Sequence, residues 1–248
     1  MQNAIILGGT HDHIKLIEIL KKKKYFTILI DYYQNPPAAQ YADKHIIEST
    51  TNKNKVLKIS KEEKASLIIS TCIDSSLATV AYVSEKLSLP CHISYETAVK
   101  LTNKNIMKNI FYDNKIPTSK FIVLSKGNYN YDNNLDFPIV IKPADSNSSK
   151  GISKIENAKK INTAIKGAYK YSLNKTIIIE EFKKGEELSI DVLVVKGIVH
   201  IIMISKNIKS QINDTIFTIT QNEYVAKIDK FLEKKILVIA KKLQKLFV

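Results

Sequence analysis

The sequence predicts an α/β protein with a Rossmann-like parallel-sheet lobe at its N-terminus and a separate α+β region after it. Short apolar runs beginning with Ala4–Leu7 alternate with amphipathic segments over the first ninety residues or so. Further along, the apolar run Phe137–Lys142 ends in a lysine and is followed by a loop of small polar residues. A third run, Ile177–Phe182, ends in acids and precedes Gly185–Val192, which alternates like a strand.

Length and composition are those of a globular protein with room for two or three small lobes. The chain has 248 residues, of which 44% are hydrophobic and 25% charged. Its net charge is +14, but every basic residue is lysine, and the lysines are scattered along the chain. Proteins that bind nucleic acid rely on arginine for bidentate contacts. We therefore predict no nucleic-acid partner.

The cysteines and the N-terminus predict a cytoplasmic protein. Cys72 and Cys91 lie in apolar stretches, so we expect buried free thiols in a reducing compartment. The chain starts directly with a strand pattern and has no basic segment followed by a long apolar one, which argues against a signal peptide. No apolar run has the length needed to cross a bilayer, so we predict no membrane association.

The N-terminal pattern is that of a β-α-β start to a doubly wound sheet. Strands are predicted at Ala4–Leu7, Thr27–Ile30, His45–Ile47, Ser66–Thr71 and Pro90–Ile93, and helices at His13–Leu20, Asn54–Glu63 and Leu77–Leu87. Asp31 closes the second strand, where an acid can hold the ribose of a dinucleotide. However, Gly8 and Gly9 are adjacent and the Gly-x-Gly-x-x-Gly pattern is missing. A nicotinamide- or flavin-dependent oxidoreductase therefore remains only an alternative.

After this lobe, the sequence predicts a helical connector and two further lobes. We place the boundaries at residues 1–93, 94–120, 121–183 and 184–248. Helices are predicted at Tyr95–Leu101, Asn105–Asn114 and Ala226–Phe247, a strand at Phe121–Leu124 and a hairpin around Lys196-Gly197, while 211–223 is hard to place. We expect the last, basic helix to pack an apolar face on its own domain rather than on a membrane or a partner groove, and that face comprises Ile228, Phe231, Leu232, Val238 and Leu243.

The most informative stretch is the apolar strand that ends at Lys142. A lysine in such a strand needs a partner, and Pro143 has no N–H to continue the ladder. The loop that follows, 145–151, offers hydroxyls, backbone N–H groups and Lys150, which suit a phosphate. It is not a Walker A loop, because Gly-x4-Gly-Lys-Ser/Thr is absent. A solvated turn is the alternative.

Five short motifs follow one another along the chain. They are Lys104 in Thr102–Lys108, Ile116-Pro-Thr118, Pro138–Lys142 with its serine-rich loop, Glu180–Lys183, and Gly185-x-Glu187-x-Ser189. No single motif is specific, but their order and spacing resemble those of the ATP-grasp superfamily, and most closely its carbamoyl-phosphate-synthetase-like and biotin-carboxylase-like branch. In this family the nucleotide lies between two antiparallel lobes. The resemblance therefore implies an N-terminal lobe followed along the chain by an α+β ATP-grasp module.

The resemblance also assigns roles in binding ATP, whose negative charges need neutralising in a partly dry cleft. The phosphate contacts would be Lys104, Lys142 and Lys206, under a loop that contains Ser146, Ser148, Ser149 and Gly151. Val140 would pack on the adenine, Glu180 and the backbone of Phe182 and Lys183 would bind its edge, and Glu187 would hold the ribose. Each acid is alternatively a solvated hinge residue.

The resemblance implies an ATP-dependent carboxylate–amine ligase that forms a carbon–nitrogen bond through an acyl phosphate. The family's Mg²⁺ ligands follow a helix like Ala226–Phe247, and this sequence stops at Val248. We therefore expect an incomplete module with weak or no turnover alone, Mg²⁺ ligands in a missing C-terminal part, and no catalytic residue identifiable here. A homodimer, a complementary C-terminal chain and a non-catalytic nucleotide-binding module remain open, as do the carboxylate and amine substrates. The histidines, including His11 and His13, suggest no metal site.

Overall fold

The chain forms two compact units, residues Met1–Thr102 and Asn103–Val248. The computed structural model describes residues 2–125, 128, 131, 135–146, 150–213, 216–225 and 227–247, and of residues 210–213 and 216–218 it describes the backbone only.

The first unit is built on a four-stranded parallel sheet. Its strands are β1 (Gln2–Leu7), β2 (Tyr25–Asp31), β3 (Lys44–Ile47) and β4 (Ala65–Ile69), and its helices are α1 (His11–Lys22), α2 (Lys53–Glu62), α3 (Asp74–Leu87) and α4 (Tyr95–Thr102). The strand order is β3-β2-β1-β4, and all neighbours run parallel. This arrangement confirms the predicted parallel-sheet lobe.

Helices cover both faces of this sheet. Ile5 and Leu7 belong to a buried cluster with residues of α2 and α3, whereas Ala4 and Ile6 belong to a second cluster with residues of α1. Successive side chains of a strand point to opposite faces, so a strand buried on both sides must be apolar throughout. That requirement explains the uninterrupted apolar runs in the sequence.

The turn after β1 is held by an acid at the end of β2. Gly8 has φ +102°, a backbone conformation that is strained for residues with a side chain. A Cβ on Gly9 would lie only 2.5 Å from Pro36, so there is no room for a side chain there. The Asp31 carboxylate accepts hydrogen bonds from the N–H groups of Gly9, at 2.7 Å, and Tyr33, at 2.8 Å. Asp31 is nearly buried and therefore braces the glycine turn.

Two expectations for the first unit are wrong. Pro90–Ile93 forms no strand, because α3 ends in a left-handed residue, Ser88, and the residues after it run irregularly into α4. Cys72 and Cys91 are free, as expected, but both are exposed rather than buried. Cys72 lies just beyond β4 with φ +55°, so the chain has already left the buried sheet at that point.

The second unit contains an antiparallel sheet of four strands with a helix on one face. Its elements are α5 (Lys104–Asp113), β5 (Phe121–Ser125), β6 (Ile139–Pro143), β7 (Ser153–Ile155), α6 (Ile161–Tyr171) and β8 (Thr176–Glu181). The strand order is β5-β8-β6-β7. Ile139, Ile141, Ile177 and Ile179 pack with Ile165 of α6 in one buried cluster. The alternate residues of β6 and β8 therefore face the other way.

A three-stranded antiparallel sheet completes the second unit. It consists of β9 (Leu188–Val195), β10 (Ile198–Asn213) and β11 (Ile216–Tyr224) in the order β11-β10-β9. The predicted hairpin at Lys196-Gly197 is confirmed, with φ +49° and +78° at the two turn residues. The stretch that was hard to place from sequence forms the end of β10 and most of β11.

The last helix, α7 (Lys230–Phe247), begins later than predicted, and the side of the helix that packs on the protein also differs from the prediction. It buries Ala240 and contacts β10, whereas the side chains of Phe231 and Val238 are 66% and 51% exposed. These two residues lie on the side of the helix opposite Ala240, so the predicted packing face is wrong at Phe231 and Val238. The described helices include none with the length and apolar character needed to cross a bilayer.

Replacing Ile165 by alanine is expected to destabilise the second unit by about 2–5 kcal/mol, because it leaves a cavity in the core under the sheet. The neighbouring variant Lys166→Ala changes an exposed position and should stay within about 0.5 kcal/mol of wild type. Urea unfolding followed by circular dichroism measures both. Equal midpoints for the two variants would contradict the assigned core.

Candidate functional site

A cleft of about 820 Å³ lies in the second unit, within the size range of small-molecule sites. Most of its lining comes from β6, β8, the segment between β8 and β9, and β10, with one residue each from just before β5 and just before β7. The lining residues are Ser119, Val140, Lys142, Ile152, Glu180, Glu181, Phe182, Lys183, Lys184, Gly185, Glu186, Glu187, Lys206, Asn207, Ile208 and Lys209. Apolar and charged side chains thus share one cleft.

The cleft brings together most of the residues singled out in the sequence. Those in its lining are Val140, Lys142, Glu180, Phe182, Lys183, Glu187 and Lys206. Lys104, Ser146 and Gly151 are described but are not part of the lining, and Ser148 and Ser149 lie outside the described residues. Lys104 nevertheless reaches the loop after β6, since its Nζ donates to the Ser146 carbonyl at 2.7 Å.

A carboxylate between two lysines forms one wall of the cleft. Lys142 Nζ pairs with Glu180 Oε1, and Lys108 Nζ lies 2.7 Å from Glu180 Oε2. In the register of β6 and β8, Val140 is opposite Glu180, so Lys142 lies diagonally across the strands from Glu180 on the same face. Lys108 reaches the same carboxylate from α5. The sheet register and the helix together build this cluster.

The three side chains are mostly buried, with exposures of 8% for Lys108, 14% for Glu180 and 19% for Lys142. Burial by itself favours the neutral acid, but the charge of Lys142 and the hydrogen bonds from Lys108 and Lys142 outweigh it and lower the pKa of Glu180. The cluster holds two ammonium groups and one carboxylate, so it keeps an excess positive charge. That excess suits an anionic ligand.

A second acid is fixed on the β9–β10 side of the cleft. Glu187 Oε1 accepts from Asn207 Nδ2 at 2.9 Å, and Oε2 accepts from Lys209 Nζ at 2.6 Å. Burial would raise the pKa of Glu187, but the hydrogen bonds from Lys209 and Asn207 lower it overall. The neighbouring Lys206 pairs with Glu186. The carboxylate of Glu187 is therefore oriented by two donors.

The segment after β8 is also anchored. The N–H of Phe182 donates to the Pro138 carbonyl at 2.9 Å, and the ammonium of Lys154 lies 4.6 Å from the centre of the Phe182 ring. Lys183 Nζ lies 2.6 Å from Glu181 Oε2. These contacts hold the strand end where it enters the cleft.

Sequence reasoning missed Lys108, Asn207, Lys209 and Glu186. Lys108 is four residues after Lys104 and therefore on the same helix face, which was a usable signal. It was hidden among 38 lysine residues, most of which are solvated. Asn207 and Lys209 lie on β10 beyond the apolar residues that predict its start. Their contacts with Glu187 depend on the tertiary fold and could not be read from the sequence pattern.

The described residues contain no group of three or more His, Cys, Asp or Glu side chains placed to hold a metal ion. Four glutamates line the cleft, namely Glu180, Glu181, Glu186 and Glu187, and each is paired with lysine. The arrangement can therefore hold an anion against lysine, pack an apolar ring on Val140, and accept hydrogen bonds at oriented carboxylates.

Comparison with known solved structures gives the same fold over nearly the whole chain. An L-amino acid ligase from Bacillus licheniformis matches with a TM-score of 0.74 and 19% identity, covering 98% of this chain and 59% of that one. An N5-carboxyaminoimidazole synthetase from Staphylococcus aureus, complexed with ADP, matches with a TM-score of 0.70 and 17% identity, covering 98% and 63%. A biotin carboxylase domain from Hydrogenobacter thermophilus has the same fold, with a TM-score of 0.73.

Sequence comparison points to ligases. A D-alanine–D-alanine ligase from Halothermothrix orenii is 31% identical over 100 residues, covering 37% of this chain and 29% of the relative. Another from Geobacillus thermodenitrificans is 35% identical over 100 residues, covering 37% and 27%. The chain thus matches under a third of these relatives' length. A model of the family described as D-ala D-ala ligase C-terminus matches residues 110–247. This chain therefore belongs to that family, and its predicted membership of the ATP-grasp superfamily is confirmed.

Proposed function

We propose that this chain binds ATP in the cleft and forms the nucleotide-binding part of an ATP-dependent ligase that joins a carboxylate to an amine. The observation that carries the proposal is the cluster of Lys142, Glu180 and Lys108, which presents excess positive charge beside the apolar Val140. Family membership and the ADP in a protein of the same fold support ATP as the ligand.

In the proposed complex, the ends of the nucleotide meet different walls of the cleft. Lys142 contacts the phosphates, joined by Lys206, while Lys104 steadies the loop at Ser146. Val140 packs on the adenine. Glu180 and the backbone of Phe182 and Lys183 bind the adenine edge. Glu187, oriented by Asn207 and Lys209, accepts from the ribose hydroxyls.

The proposed reaction has two steps. An oxygen of the carboxylate substrate attacks the γ-phosphorus of ATP, the bond to ADP breaks, and an acyl phosphate forms. The amine then attacks the acyl carbon, phosphate leaves with the bonding electrons, and the amine loses a proton. The residues of this chain hold the ATP in line and offset its charge, which is the main contribution of a protein to phosphoryl transfer.

Mg²⁺ normally accompanies ATP in such reactions and offsets the charge of the phosphates. The solved biotin carboxylase domain contains MgADP. The described residues of this chain do not fit a protein-held Mg²⁺ site, because the glutamates of the cleft are engaged by lysines and form no three-membered cluster. No step of the proposed mechanism is therefore assigned to a metal held by this chain.

We also propose a cytoplasmic location, which the free thiols of Cys72 and Cys91 support. The remaining partners proposed are a small carboxylate, a small amine, and either a second copy or a complementary chain. Turnover of ATP by the purified chain would identify a ligase, since a non-catalytic nucleotide-binding module would bind ATP without consuming it.

Lys142 is the proposed phosphate contact on β6. Replacing it by alanine is expected to weaken binding of a non-hydrolysable ATP analogue by about 10- to 100-fold, because one charge-assisted hydrogen bond to phosphate is lost. Calorimetric titration in the presence of Mg²⁺ measures the affinity. Lys170→Ala, at an exposed position of α6, is the matched control and should bind like wild type. Equal affinities for the two variants would refute the assignment of the phosphate site.

Glu187 is the proposed ribose contact, held by Asn207 and Lys209. The wild-type chain should prefer an ATP analogue to its 2′-deoxy counterpart, because the carboxylate accepts from the ribose. We expect that preference to be roughly tenfold in affinity. Glu187→Ala should remove most of it, because the substitution weakens binding of the ribose nucleotide alone. Titrations with the two nucleotides measure the ratio for each protein. A preference that survives the substitution would place the ribose elsewhere in the cleft.

A further inference from the structure

Lys108 is a nearly buried cation outside the lining of the cleft. Its side chain is 8% exposed. Its ammonium lies 2.7 Å from Glu180 Oε2, donates to Thr118 Oγ1 at 2.7 Å, and stands 5.0 Å from the centre of the Phe121 ring. These contacts surround the ammonium from several sides. A ligand in the cleft therefore meets Glu180 and not Lys108.

Lys142 differs from Lys108 in one decisive respect. It lines the cleft, and its ammonium pairs with Glu180 Oε1. A phosphate in the cleft must therefore compete with Glu180 for this ammonium. When Lys142 turns toward a phosphate, the partner that Glu180 keeps among its described ion pairs is Lys108. A buried carboxylate with no cation beside it is strongly disfavoured.

Several other charged side chains of the cleft lining are paired with one another. Lys206 pairs with Glu186, and Lys209 pairs with Glu187. From β8 itself, Glu181 pairs with Lys183. On β5, the residue opposite Glu180 is the apolar Phe121. The charges that act on Glu180 thus come from Lys142 on β6 and Lys108 on α5.

We propose that Lys108 is the permanent counter-ion of Glu180 and thereby frees Lys142 to exchange that carboxylate for the phosphates of a bound nucleotide. This inference rests on the proposed function and adds to it a positioning residue outside the cleft. Lys108 acts through Glu180, because its ammonium touches Glu180 and does not line the cleft.

The proposal has a measurable consequence for proton uptake. Without Lys108, Glu180 would still be ionised in the free protein, because Lys142 pairs with it. Once Lys142 moved to a phosphate, burial would raise the pKa of Glu180 and the carboxyl would take up a proton. In a chain without Lys108, nucleotide affinity would then fall as pH rises between the pKa of Glu180 in the free protein and its pKa in the nucleotide complex. With Lys108 present, binding should take up no proton.

The experiment is calorimetric titration with a non-hydrolysable ATP analogue in buffers of different ionisation enthalpy, between about pH 6 and pH 8. Lys108→Met keeps most of the side-chain length and removes the charge. It should take up close to one proton on binding, and its affinity should fall by up to about tenfold per pH unit. The wild-type chain and Lys166→Met, an exposed control on α6, should take up none.

A double variant tests whether the effect passes through Glu180. In Lys108→Met/Glu180→Gln there is no carboxylate at this position to protonate, so the proton uptake seen in Lys108→Met should disappear. Uptake that persists in the double variant would come from another group and would overturn the proposal. So would a Lys108→Met variant that binds nucleotide with no uptake.

A measurement on the wild-type chain covers the case in which Lys108→Met does not fold. The NMR signal of the Glu180 carboxyl carbon can be assigned because it is lost in Glu180→Gln. Its chemical shift should be that of an ionised carboxylate both with and without nucleotide. Protonation on binding would overturn the role of Lys108 while leaving ATP binding intact. A folded wild-type chain that binds no nucleotide would instead contradict the proposed function and, with it, this inference.

Discussion

The interaction on which the second unit depends is the carboxylate of Glu180 held between two lysines. It ties together three elements, because Glu180 belongs to β8, Lys142 to β6 and Lys108 to α5. Removing one partner of a buried pair leaves a charge without compensation, which is costly, so alternative packings of these elements are disfavoured. The same constraint that fixes α5 against the sheet also sets the charge of the cleft wall.

The antiparallel register of β6 and β8 places the core and the site on the same two strands. Ile139 and Ile141 pack against α6, while Val140 and Lys142 face the cleft. A shift of one residue would exchange these faces, placing a lysine in the core and isoleucine in the cleft. The register is therefore specified twice, by apolar burial on one face and by the pairing with Glu180 on the other.

The sequence was informative where a charge interrupts a strictly apolar strand and less so where position depends on packing. Lys142 and Glu180 stand out because each follows a run of β-branched residues, and the motifs around them identify the fold. Lys108 looks like any helical lysine, since only the approach of α5 to the sheet buries it. Phe231 was expected to be buried, but the side of α7 that meets β10 is set by tertiary contacts. Pro90–Ile93 reads as a strand yet lies beyond the sheet.

Lys142 and Lys108 differ in where they lie relative to the cleft rather than in their chemistry. Each carries the same charge and touches the same carboxylate, but only Lys142 borders the space that a ligand fills. A site for a polyanion benefits from a cation that can change partners, and a cation can do so only if the carboxylate it leaves remains paired. A fixed cation behind the carboxylate meets that condition without contacting the ligand. Residues outside the lining of a cleft can therefore determine whether those inside it are free to bind.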